Sequence, residues 1–302
     1  MKIILDKYFF QLWEVTRKFS QLIGQRNTTA IFSCISKICF FFLKQEKKIA
    51  ITQLNFSKFD NSEKIYKENL QHISKSFAEI LHLENLLKNN KVHYQGEEAL
   101  EKGLTEGAVA LSAHIGCFEL LAAYHAHIGS NLFVIGKNLK YESAQHTLDR
   151  FRTDYGAQTV WRANAKSMRK LSKALKSKAL VASLIDQDTK VESKFSNFFN
   201  SKAAYPIAPI KLAIKYQVPI FTSFIYRVRN SKHQIWSKEI EYDVNDENVE
   251  QKILDEYSNR VQKLIELYPE QWVWWHRRWR SRKEGRIKST NEYLEFLRAN
   301  TT

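Results

Sequence analysis

Cysteine is scarce in this 302-residue chain, with only Cys34, Cys39 and Cys117. An odd number in apolar surroundings argues for a reducing compartment and against a disulfide scaffold. Glycine and proline are sparse too, nine and four residues, which alongside 44% hydrophobic residues excludes a collagen-like or low-complexity disordered chain. No apolar run reaches the roughly 18 residues needed to cross a bilayer. The longest, residues 30–43, is interrupted by Lys37. A cleaved signal peptide is not expected, because Asp6 follows Met1-Lys2-Ile3-Ile4-Leu5 before an apolar core can form. Acidic residues are also in deficit. Lys and Arg outnumber Asp and Glu by 47 to 32, and the net charge of +15 calls for an acidic partner: phospholipid, phosphorylated glycolipid, nucleic acid or an acidic protein.

What is present begins with a helix. Leu5, Tyr8, Phe9, Leu12, Trp13, Thr16, Phe19, Leu22 and Ile23 recur at helical spacing, with Lys2, Lys7, Arg17 and Lys18 between them. Such a helix either lies in a membrane interface or packs on the main domain, depending on whether its apolar face meets lipid. The polar run Lys44-Gln45-Glu46-Lys47-Lys48 sets a boundary. Residues 1–45 read as amphipathic, membrane-associating helices whose removal is expected to leave catalysis intact, and residues 46–302 as one α/β domain. Within it the spacing predicts a helix over 63–88. Short apolar runs at 108–113, 132–135, 158–161, 179–185 and 218–228 then alternate with amphipathic stretches at 118–128, 142–155, 166–176, 203–216 and 248–267. The alternation predicts a mostly parallel central sheet flanked by helices.

Reactive groups of such sheets collect at the carboxyl ends of strands. The strand at 109–113 delivers His114 there, Gly116 permits a tight turn, and Glu119 falls in the first turn of the next helix. A carboxylate folded back onto the imidazole would fix its tautomer and let it take a proton from an alcohol. The segment Ser112-Ala113-His114-Ile115-Gly116-Cys117-Phe118-Glu119 resembles the His-x4-acid motif of glycerolipid acyltransferases, in the Glu form of the bacterial lipid A late acyltransferases. Asp186-Gln187-Asp188 with the downstream Phe198-Phe199, and Tyr268-Pro269-Glu270-Gln271-Trp272-Val273-Trp274-Trp275-His276-Arg277-Arg278-Trp279, resemble two further blocks of that family, in the same order.

The resemblance implies an O-acyltransferase in which His114 is the general base and Glu119 its orienting partner. The acyl donor would be acyl carrier protein, and the acceptor a hydroxyl of a phosphorylated glycolipid, a lipid A precursor, at the cytoplasmic side of the inner membrane. Arg152, in an Arg-x3-Gly pattern, falls at a position expected to bind a phosphate or steady the thioester oxyanion; Lys137, where relatives carry Arg, and Arg162 are further basic candidates. Asp186 and Gln187 are expected to bind substrate. Neither cofactor nor metal is implied. The alternatives are another amphiphilic acceptor, such as a lysophospholipid or aminolipid, or a non-catalytic membrane or single-stranded nucleic-acid binder using the four Trp and interleaved Arg of residues 272–282. No nucleic-acid-binding spacing accompanies that cluster. Cys117 beside His114 invites a thiol-nucleophile reading without a separate base in recognisable order. His125 and His127 point apart on a helix and read as its surface.

Overall fold

The protein is described from a computed structural model covering residues 2–89, 91–162, 165–199, 201–228 and 232–301. Its first half runs α1 (Lys2–Phe42), α2 (Lys44–Phe56), α3 (Ser62–Ile80), α4 (Leu83–Lys88), β1 (Val92–Gln95), α5 (Glu97–Glu106), β2 (Ala108–Ser112), α6 (Phe118–His127), β3 (Leu132–Lys137) and α7 (Glu142–Asp154). The second half runs β4 (Ala157–Arg162), α8 (Ala165–Lys176), β5 (Leu180–Leu184), β6 (Ser193–Phe198), β7 (Ser201–Pro206), α9 (Ala208–Tyr216), β8 (Ile220–Arg227), β9 (His233–Glu239), α10 (Val249–Leu267) and α11 (Thr290–Ala299). Seven strands form one sheet in the order β1-β9-β8-β2-β5-β3-β4. The five from β8 to β4 run parallel, and β9 and β1 run the other way. The mostly parallel α/β architecture agrees with the strand–helix alternation of the sequence.

Alternation along β2 explains why it lies in the middle. Ala108 and Ala110 pack with Leu132, Val134 and Phe221 beneath Ala122 and Ala126 of α6, while Val109 and Leu111 turn to the opposite core with Leu171 and Leu175 of α8, Ile210 of α9 and Ile253 of α10. Both faces are therefore buried, as a central parallel strand requires. Two segments differ from expectation. Residues 63–88 break into α3 and α4 at Leu81–His82, where the His82 ring bonds Ser20 Oγ of α1 at 2.7 Å. Residues 203–216 are not one helix: Ala203–Pro206 pair with β6, and α9 starts afterwards with Pro209 in its first turn, where a missing N–H costs nothing.

Helix α1 is kinked at Gly24, whose φ of 80° leaves the helical region. One side packs on α3 and α7: the Trp13 ring meets Phe151 edge-on at 5.7 Å, and the Arg150 guanidinium sits 4.1 Å from the centre of the Phe10 ring. The other side exposes Leu12, Val15, Phe19, Leu22, Ile35 and Phe41. Among the described residues no helix is long and apolar enough to cross a membrane.

Candidate active site

Strands β2 and β5 pair in parallel with Ser112 opposite Leu184, so the chain leaves both at the same edge. Two residues further on, His114 and Asp186 face each other. Asp186 Oδ1 lies 2.7 Å from His114 Nδ1, and Oδ2 accepts the His114 backbone N–H at 2.9 Å and the Trp272 indole N–H at 2.8 Å. Burial raises the energy of the Asp186 charge, yet the adjoining imidazole and these three donors together hold its carboxyl below the usual carboxylate range. An ionised carboxylate on Nδ1 favours the tautomer with its proton there, which leaves Nε2 as the basic nitrogen. The His114 side chain is 22% exposed and that of Asp186 1%, so the base is reachable and its partner is not.

The turn that carries His114 is clamped from below. Gly116 has φ 61°, and a Cβ there would stand 2.3 Å from the Ile225 carbonyl oxygen, so only glycine fits. Its N–H donates to Gln271 O at 3.0 Å, the Val273 N–H donates to His114 O at 3.2 Å, and Ile115 bridges to Trp272. The 269–281 strap is held in turn by Asn69 of α3, which donates to the carbonyls of Glu270 and Trp272, and by Gln53 of α2, which donates to those of Trp274 and His276. Trp272, Trp274 and Trp279 are buried, so these rings belong to the core and present no face to bases or to lipid. Arg278 is fully buried as well, 4.0 Å from the Tyr205 ring centre.

Asp186, and not Glu119, hydrogen-bonds the His114 ring, which differs from the pairing expected from the sequence. The Glu119 carboxylate is taken by Arg152, whose Nε donates to Oε2 at 3.0 Å and Nη2 to Oε1 at 2.5 Å, with Nη1 reaching Thr159 Oγ1 at 3.5 Å. A bidentate guanidinium in a buried setting outcompetes a single imidazole contact. Arg152 is likewise engaged by a carboxylate of its own chain and not open to a phosphate. Lys137 and Arg162 pair in register at the carboxyl ends of β3 and β4, exposed and half-buried respectively, with β5 between β3 and the strand that carries His114. Gln187 follows Asp186 on a half-buried bend. Cys117 is buried, and burial raises its thiol far above the ordinary range, which stands against a thiolate there. His125 is buried, not on the helix surface, and bonds Ser223 Oγ at 3.1 Å.

An apolar cavity of about 490 Å³ opens beside the turn, within the range of small-molecule sites. Phe118 and Glu119 line it, and Phe118 also packs edge-on against the His114 ring with centres 5.1 Å apart. Leu12, Trp13, Thr16 and Phe32 of α1 form one wall, and Phe77, Thr147 and Phe151 line it from α3 and α7. It therefore spans the boundary that composition drew at residue 45. A second cavity of about 140 Å³, sharing Phe77, Ile80, Phe118 and Glu119, continues to Gly116 and Gln271. The signal for Asp186 as the partner of His114 was present in the sequence as a strand-end carboxylate, but only the adjacency of β2 and β5 selects it.

Among solved structures, the 1-acyl-sn-glycerophosphate (LPA) acyltransferase PlsC from Thermotoga maritima is similar at 12% identity and a TM-score of 0.38, over 78% of this chain and 97% of that one. No curated protein matches the sequence. The family model for bacterial lipid A biosynthesis acyltransferases matches residues 10–281, nearly the whole chain and all of the clamped His114 turn, its Asp186 partner and the strap beneath them. The chain therefore belongs to the bacterial lipid A biosynthesis acyltransferase family and is an acyltransferase.

Proposed function

We propose that the enzyme moves a fatty acyl group from acyl carrier protein to a hydroxyl of a phosphorylated lipid A precursor, at the cytoplasmic face of the inner membrane. The observation that carries this reading is the partly exposed His114 imidazole held at Nδ1 by buried Asp186 beside an apolar cavity. His114 Nε2 removes the acceptor hydroxyl proton as its oxygen attacks the thioester carbonyl carbon. Collapse of the tetrahedral intermediate breaks the carbon–sulfur bond, and the departing thiolate takes the proton back from the imidazolium. Asp186 stabilises the imidazolium between these steps. The apolar cavity receives an acyl chain, and the Glu119–Arg152 pair, neutral overall, stiffens its lining. Lys137 and Arg162 offer the acceptor phosphates a cationic edge. The exposed apolar side of α1 seats the enzyme on the bilayer without spanning it. The test is turnover by purified protein in detergent with an acylated carrier protein and a tetra-acylated lipid A precursor, read by mass spectrometry. Appearance of a product heavier by one acyl group supports the reading, and its absence with active protein and every acyl length tried rejects it.

A further inference from the structure

The strongest unassigned feature lies on the opposite face of the sheet from α1. Between Asp154 and Asp186 the sequence holds no acidic residue and seven Lys or Arg. Most fall on α8, where Lys166, Arg169, Lys170, Lys173 and Lys176 are exposed along a helix about 18 Å long. Its neighbour α9 adds Lys211, paired with Glu192, and Lys215, and again no acidic residue. The stripe starts at Lys166, four residues beyond Arg162, at the carboxyl edge of the sheet where His114 also lies.

Topology and packing say what kind of surface this is. The chain steps from β2 to β3 to β4 in one direction across the sheet and from β4 back to β5 in the other. Right-handed crossovers therefore set α6 and α7 on one face and α8 on the other. Helix α1 packs on α7, so the exposed apolar residues and the basic stripe sit on different faces. The apolar side of α8, with Leu171, Ala174 and Leu175, is spent in the core. An interfacial helix needs such residues turned outward; the outer side of α8 has five cations and a single exposed large apolar residue, Met168.

We infer that the exposed side of α8 is the docking surface for an acidic carrier protein, which delivers its thioester over the carboxyl edge of the sheet to His114. This rests on the acyl-transfer reading and adds where the donor binds. Attraction between opposite charges that stay at the rim of an interface acts over about 10 Å at 0.1 M salt and speeds encounter more than it slows release. A donor with the same thioester but no charge, such as an acyl N-acetylcysteamine thioester, gains nothing from the stripe.

The decisive comparison uses full-length protein in detergent and a fluorescently labelled acyl carrier protein, with binding read by anisotropy. Arg169→Glu/Lys173→Glu/Lys176→Glu is set against Lys64→Glu/Lys67→Glu/Lys263→Glu, which alters net charge equally on other surfaces. The α8 variant is expected to weaken carrier binding at least about tenfold, with the control within about twofold. Its kcat/KM should fall in parallel with the carrier donor and hold with an uncharged acyl N-acetylcysteamine thioester. Equal weakening in both variants, or a wild-type protein that does not bind the carrier, overturns the inference. So does a variant that keeps carrier binding but loses affinity for phosphatidylglycerol vesicles, which would make the membrane the occupant. Absence of acyl transfer from either donor by the wild type removes the proposed reaction instead, and the anisotropy still decides the docking surface.

Discussion

Two carboxylates flank the same turn and are put to different uses. Asp186 accepts three hydrogen bonds and holds an imidazole that stays partly exposed, whereas Glu119 meets a guanidinium whose fork takes both its oxygens inside the protein. The first arrangement leaves a base with one nitrogen fixed and the other available. The second fastens α6 to α7. A His-x4-Glu spacing is thus compatible with a carboxylate that shapes the site while a residue 72 positions away does the orienting.

The coarsest way to break the comparison is to delete residues 1–45. This strips Leu12, Trp13, Thr16 and Phe32 from the cavity beside Glu119 and removes the Ser20 partner of His82, while sparing the His114–Asp186 pair. Turnover in detergent is expected to vanish together with membrane attachment, and a truncated protein as active as its parent would detach the cavity from catalysis. Next, His114→Ala and Asp186→Asn should each lower kcat by roughly 10²–10⁴, the scale of general-base assistance. The melting temperature of Asp186→Asn should stay near that of the parent, since an amide can still accept from Trp272.

Glu119→Ala should behave in the opposite way. It strands Arg152 as a buried unpaired cation, so urea unfolding should show a loss of about 3–5 kcal/mol, with Glu119→Met/Arg152→Met recovering much of it. If Glu119→Ala is as stable as the parent, the ion pair is not structural.

Much of this was legible in the sequence, and the illegible part has a common cause. His114 at a strand end and Gly116 at a positive φ follow from local pattern, as do the parallel strands at the centre of the sheet. The partners of His114 and Glu119 do not. Arg152 lies on the helix after the next strand, and Asp186 reaches His114 only because β5 inserts between β2 and β3, an order that no local periodicity specifies. The tryptophans of the strap share the composition of a membrane belt, and only Gln53 and Asn69, more than 200 residues away, reveal that three of the four, Trp272, Trp274 and Trp279, are core. Strand β9 was missed because its polar residues conceal the period, and β1 is only four residues long.

A smaller effect comes from two desolvated histidines. Burial lowers the imidazoles of His125 and His276 to about 4. The unfolded chain then binds more protons than the folded one between that value and about 6.5, so stability is full above this window and falls as the pH drops through it. The slope is at most about 1.4 kcal/mol per pH unit for each histidine. Asp186, held below its ordinary value, stays ionised through that window, and its own contribution is lost only in stronger acid. His125→Gln should flatten the urea midpoint between pH 4 and 6 relative to the parent, and an unchanged slope would show that His125 titrates normally. Cys117→Ser should change least, retaining turnover and trapping no acyl adduct; a covalent adduct on Cys117 would replace His114-assisted direct attack by a thioester intermediate.

The claim that Asp186 and not Glu119 completes the base is tested most directly by a double-mutant cycle in kcat/KM. With His114→Ala as background, adding Asp186→Asn should cost almost nothing further, because two residues acting as a unit do not lose activity additively. Adding Glu119→Gln to the same background should change kcat/KM by the same factor as it does in the parent protein. Full additivity for Asp186→Asn, together with no further loss from Glu119→Gln, would assign the orienting role to Glu119 and contradict the account.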